Sequence, residues 1–162
     1  MPVNVQISVK GVPETQAYFG RVLRDLKGPE MERGMKRAAG IVEGAAKKNL
    51  VAYRSPAVGG VDTGVTRASI TSSVKSSSDG FVGVIGSPRI SAAVMETGSK
   101  PHWPPLAALE GWAKWHGTTA YVVARAIARR GNVPRKFLSK ALNNSIGRIV
   151  NEIENTVRNI IQ

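Results

Sequence analysis

Asp62-Thr63-Gly64 is the triplet in this chain with the clearest enzymatic precedent. Aspartic proteases use Asp-Thr-Gly so that two carboxylates, one from each half or subunit, share a proton and activate water. A homodimer of this chain would supply two such aspartates. Here, however, the triplet follows the loop residues Val58-Gly59-Gly60 rather than a continuous apolar strand, and Val65 stands where those enzymes usually carry Ala or Ser. Asp before Thr-Gly is also the ordinary chemistry of a turn or helix cap. His102 and His116 lie beside Trp103 and Trp115, but neither has an Asp or Glu at a zinc-binding helical offset. Gly80, Gly83 and Gly86 resemble a phosphate loop in spacing alone, since no Gly-Lys-Ser or Gly-Lys-Thr accompanies them. Trp103, Trp112 and Trp115 offer either a ligand platform or the packing stripe of an amphipathic helix, and the second reading is expected. The chain has no cysteine, which excludes disulfides, thiolate zinc sites and a cysteine nucleophile. No nucleophile–base pair, carboxylate pair or metal cluster emerges, so the reading is of a protein that is not an enzyme and needs no cofactor or metal.

The 162 residues are 42% hydrophobic and 21% charged, which places the chain among globular proteins and argues for one domain over 1–162. No apolar run approaches the roughly 20 residues of a membrane span, and Met1 to Lys10 alternate apolar and polar residues, so neither a membrane partner nor a secretory signal is expected. Twenty-three Lys and Arg against eleven Asp and Glu leave a net charge of +12. The excess is concentrated: between Glu110 and Glu152 there is no acid, while Lys114, Arg125, Arg129, Arg130, Arg135, Lys136, Lys140 and Arg148 fall there. Such a field attracts nucleic acid, anionic lipid or an acidic protein surface. A solvated face or subunit contact is the expected use, because aromatics are not interleaved with the charges along the sequence as single-strand binding requires.

The elements follow from periodicity. Val3, Val5, Ile7 and Val9 alternate with polar residues and predict a short strand. Tyr18, Phe19, Val22, Leu23 and Leu26 fall at helical spacing, predicting a helix from Pro13 or Glu14 to Leu26. Gly28-Pro29 breaks it and opens a second helix to Val51, whose many small residues allow close packing. Tyr53 to Gly60 reads as loop. Strands are predicted over Val65–Ser76 and Gly80–Gly86, and Ser87–Lys100 reads as a mixed, loop-rich segment. Helices are predicted from Pro104-Pro105 to His116, with Leu106, Leu109, Trp112 and Trp115 in a stripe, and from Thr118 to Arg130. The last helix, Lys136 to Ile161, carries Leu138, Leu142, Ile146, Ile149, Ile153, Val157 and Ile160 on one face. At about 35 Å it is expected to face the core and to pack its far end on a neighbour. The fold class is therefore α+β: a small, mainly antiparallel sheet packed with several helices and closed by a long C-terminal amphipathic helix. A loop at 53–62 and a helical insert at 101–130 are its excursions.

Four segments in order carry a resemblance. They are a basic, alanine-rich stretch from Ala38 to Leu50; Val61-Asp62-Thr63-Gly64-Val65-Thr66-Arg67-Ala68-Ser69-Ile70; Met95-Glu96-Thr97-Gly98-Ser99; and Gly131-Asn132-Val133-Pro134-Arg135-Lys136-Phe137-Leu138-Ser139-Lys140-Ala141-Leu142. Over about residues 14 to 160 this order resembles the neck or tail-completion proteins of long-tailed bacteriophages and prophages. Ala93-Val94 stand where that family often has an aromatic pair.

The resemblance implies a structural virion-assembly protein that completes the tail and helps join it to the head as part of an oligomeric ring. The implied partners are further copies of the chain, the tail tube and the head–tail connector proteins, with DNA passing through the assembly. The implied location is the virion, and the host cytoplasm during assembly. Asp62, Thr63, Gly64, Arg67, Ser69, Glu96, Gly98, Pro134, Arg135, Phe137 and Leu138 become structural or interaction residues. Thr63-Gly64 would make a turn, Arg67 would pair with Glu96 or a backbone carbonyl, and Pro134-Arg135 would hold the last helix against the sheet with Phe137 and Leu138 buried. Loops 53–62 and 87–100 and the basic face Arg125, Arg129, Arg130, Lys136 and Lys140 would contact neighbours. The alternative is a basic nucleic-acid-binding protein using that same face.

Overall fold

A computed structural model describes residues 12–52 and 64–162 of the chain. The strand expected over Val3–Val9, the loop from Tyr53 to Gly60, and Asp62 and Thr63 lie outside the described residues. Among those described, seven helices and one two-stranded antiparallel sheet make an α+β fold that is mostly helical. No helix among them is long and apolar enough to cross a membrane.

Two long helices form the spine. α1 (Val12–Asp25) stops before Gly28-Pro29, and α2 (Pro29–Ala52) starts with proline in its first turn, where the missing amide hydrogen costs nothing. α7 (Phe137–Ile161) runs along α2, and their contact is the most extensive in the molecule. Small residues set this closeness. A Cβ on Gly34 would stand 2.6 Å from Thr156 Cγ2, so the two backbones meet where glycine removes the obstacle. The core lies at the other end of the pair, where Val42, Ala46 and Leu50 of α2 bury against Phe137 and Ala141 of α7, with Ile70 and Ala92.

The face that α7 buries differs from the one its large apolar residues predict. Phe137, Ala141, Ser145 and Thr156 are buried, whereas Leu142, Ile146 and Val150 are about half exposed. Short side chains let α7 approach the glycine- and alanine-rich side of α2; Leu142 and Ile146 turn outward, while Leu138, Ile149, Ile153, Val157 and Ile160 stay half-buried.

β1 (Thr71–Ser77) and β2 (Gly80–Gly86) pair in register Val74↔Gly83 around a turn at Ser78-Asp79. The hairpin lies on α2: Ser72 Oγ donates to Glu43 Oε2 at 2.6 Å, and a Cβ on Gly83 would sit 3.5 Å from Ala39 Cβ. Val82 and Val84, part of an apolar run, point to the open side and are exposed. The strand predicted from Val65 begins only at Thr71. Gly64 adopts a left-handed conformation (φ 71°) and Val65–Ala68 form a helical turn, α3, closed by Ser69 Oγ donating to the Thr66 carbonyl at 2.7 Å. Within the segment read as loop-rich, Ile90–Thr97 forms a helix, α4, that buries Ala92.

α5 (Ala107–Trp115) and α6 (Ala120–Arg130) pack chiefly on each other, as a helical hairpin. The tryptophan stripe expected in the core is not there. Ala113 and Ala124 fill the contact, while Trp112 and Trp115 are exposed. Gly131 ends α6 with φ 68°.

Candidate functional site

The start of α7 is where most of the predicted site residues meet. The residue before the helix is Lys136, held at φ 53° with no side-chain cap, so the first-turn amides need acceptors from elsewhere. Glu96, near the end of α4, supplies them. Its Oε2 accepts from the Leu138 amide at 2.7 Å and its Oε1 from the Ser139 amide at 3.0 Å and the Ser139 hydroxyl at 2.5 Å. Partial burial opposes ionisation of this carboxyl, but hydrogen bonds from the Ser139 hydroxyl and from the backbone of Leu138, Ser139 and Phe137 outweigh it and hold its pKa below the usual glutamate range. A carboxylate here also sits at the positive end of the helix dipole.

The residues flanking Glu96 and α7 clasp each other. Ser99 and Asn132 exchange backbone hydrogen bonds at 3.0 Å each, and the Asn132 side-chain amide donates to Ser99 Oγ at 2.7 Å. The Arg135 amide donates to the Met95 carbonyl at 2.8 Å and the Lys136 amide to the Glu96 carbonyl at 3.2 Å. Gly98, at φ 75°, lies under this strap: a Cβ there would meet the Asn132 carbonyl oxygen at 2.5 Å and Pro134 Cδ at 2.9 Å. Phe137 then enters the core fully buried, its carbonyl accepting from the Asn49 side chain of α2 at 3.0 Å. Leu138 is half-buried against the same cluster. Pro134 and Arg135 therefore hold α7 against the end of α4 rather than against the sheet.

Gly64, Arg67 and Ser69 sit at a second corner. Ser69 Oγ lies 2.7 Å from Ser87 Oγ, and Thr66 Oγ1 lies 3.1 Å from Ser91 Oγ, tying α3 to the β2–α4 connection and to the first turn of α4. Ile70 leaves this corner to join Phe137 and Ala92 in the core. The expected Arg67–Glu96 pair does not form. Glu96 is committed to α7, and the exposed Arg67 side chain makes no ion pair among the described residues. Asp62 and Thr63 lie outside those residues.

Ser99, Asn132 and Ser139 were not singled out from the sequence. Ser139 in the first turn, after a lysine unable to cap, was the available signal for a cap supplied from outside the helix. Asn132 and Ser99 carry no local signal, because their pairing is a contact between distant segments.

The chemistry of this junction is structural. Its one carboxylate is saturated by amides and a hydroxyl, and among the described residues no group of three or more His, Cys, Asp or Glu is placed to hold a metal. The histidines are elsewhere: His102 Nδ1 lies 2.9 Å from the Lys100 carbonyl, and His116 stacks on Trp112 with centroids 4.1 Å apart. Arg125, Arg129, Arg130, Lys136 and Lys140 are all exposed. No family model matches the chain, and neither a curated protein nor a solved structure does.

Proposed function

We propose that this chain is a structural virion-assembly protein of the phage neck or tail, which completes the tail and helps join it to the head as one copy in an oligomeric ring. The observation that carries this reading is the large apolar surface left exposed on α7 and α1 among the described residues. Leu142, Ile146 and Val150 make an exposed row along α7 at 48%, 53% and 46% exposure, and Phe19 and Leu23 make another on α1. Full burial of such a side chain is worth about 1.5–3 kcal/mol, so each half-exposed residue holds about 1 kcal/mol in reserve for association. Contiguous apolar surface of this kind marks protein–protein contact.

The role is one of surface complementarity rather than catalysis. The Glu96 junction fixes the direction in which α7 leaves the core, and thereby the face it offers to a neighbour. The four ordered segments of the resemblance lend the reading its particular setting. The test is co-sedimentation of the purified chain with isolated tail tubes, followed by electron microscopy of the tube ends. A ring at one end supports the proposal; free chain and bare ends overturn it.

A further inference from the structure

We infer that the outer face of α6 binds single-stranded nucleic acid, with phosphates on Arg125 and Arg129 and an unpaired base against the Trp103–Tyr121 pair. This goes beyond the assembly role and does not rest on it.

Residues 121, 125 and 129 share one helix face, and Tyr121, Arg125 and Arg129 are all exposed there, while Ala124, about 100° round the helix from Arg125, is fully buried. Trp103, from the segment before α5, packs edge-on against Tyr121 with ring centroids 5.6 Å apart at 63°. Both rings are more than half exposed, at 53% and 55%. The structure thus brings aromatic and cationic groups onto one surface that the sequence order keeps apart.

No ion pair among the described residues compensates the charge of this surface. Between Glu110 and Glu152 the chain has no acid, and the ion pairs among the described residues all involve α2. Arg130, the last residue of α6, and Lys136 are exposed as well. Arg125 and Arg129 stand one turn apart, about 6 Å along the axis, and a polynucleotide repeats a charge with every residue. An acidic protein would engage the arginines, but meets the aromatic pair only where one of its own rings lies beside its carboxylates, whereas every nucleotide carries both a charge and a ring. A duplex would engage them too, but keeps its bases stacked inside. An unpaired strand satisfies both halves of the surface, backbone on cations and base on aromatic.

The test is fluorescence anisotropy with a labelled oligonucleotide of about 20 residues, as single strand and as duplex, with polyglutamate as competitor, from about 50 to 300 mM salt. The expected result is tighter binding of the single strand, falling steeply with salt. Arg125→Glu with Arg129→Glu should weaken it tenfold or more, and Tyr121→Ala should narrow the preference over duplex. Lys75→Glu, a charge reversal on exposed β1, should change affinity less than twofold. Should the double reversal fail to fold by circular dichroism, Arg125→Gln with Arg129→Gln gives the same reading. Equal or tighter duplex binding, displacement by an equal mass of polyglutamate, or unchanged affinity in the α6 variant would each overturn the inference.

Discussion

Gly34 of α2 lies directly against Thr156 of α7, and a Cβ at position 34 would stand 2.6 Å from Thr156 Cγ2 and 2.9 Å from its Cβ. Thr156 is fully buried and its hydroxyl is fixed, donating to the Glu152 carbonyl at 2.8 Å and accepting from Arg37 at 3.2 Å. The contact is rigid from both sides, so the helices must separate to admit even a methyl group. Gly34→Ala is expected to destabilise by about 1–3 kcal/mol, although alanine alone would favour the helix by about 1 kcal/mol. Thermal unfolding checks the sign. Adding Thr156→Ala should recover part of the loss, because it removes the nearest obstructing atoms.

Glu96 gives the fold a defined acid sensitivity. Its folded pKa is depressed, so its contribution is complete above the ordinary glutamate value of about 4.3 and is lost as pH falls through that value towards the lower folded one. Glu96→Gln should cost about 1–2 kcal/mol at neutral pH, the scale of a lost helix cap. Denaturant titrations should show that gap constant above about pH 5 and shrinking below about pH 4. A gap as large at pH 3 as at neutral pH would show that the carboxylate charge is not what caps α7. Glu43, also held low by hydrogen bonds from Lys47 and Ser72, titrates in both proteins and cancels from the comparison.

Gly98→Ala and Gly80→Ala separate two kinds of glycine requirement. Both positions have positive φ, 75° and 139°, but only Gly98 has neighbours where a Cβ would go. Gly80→Ala should cost about 1–2 kcal/mol from backbone strain alone. Gly98→Ala should cost more, since the Asn132–Pro134 strap must also move, and unfolding midpoints of the two variants decide the order.

Phe137→Ala should cost about 3–5 kcal/mol, because the ring is fully buried in the main cluster. Arg67→Ala should stay within about 0.5 kcal/mol, as expected of an exposed side chain without an ion pair among the described residues. The sequence motif alone implied a stability cost for that change; equilibrium unfolding distinguishes the two expectations.

The boundaries of α2, β2, α6 and α7 were legible because glycine and proline punctuate them, and β2 runs over the Gly80–Gly86 predicted for it. The orientation of α7 was not. Its period shows which residues are apolar, but not that Ala141, Ser145 and Thr156 would win the buried side by fitting the small residues of α2. The same holds for α5, where Ala113 packs and the tryptophans do not. At the junction, Glu96 and the segment from Gly131 to Leu142 stood out as separate motifs. Their union is a contact between Glu96 and Leu138, 42 residues apart, and a single sequence does not encode which carboxylate reaches which amide.

In the proposed assembly, other copies of the chain or tail components cover the exposed apolar faces. Light scattering of the purified chain, alone and with tail tubes, at low and at roughly half-molar salt, tests it most directly, since contacts made by buried apolar surface resist screening. The expected result is a mass of two or more 17.3 kDa chains, or recruitment onto tubes, insensitive to salt and lost in Leu142→Asp with Ile146→Asp. A 17.3 kDa monomer at both salt concentrations that also ignores tail tubes would contradict it.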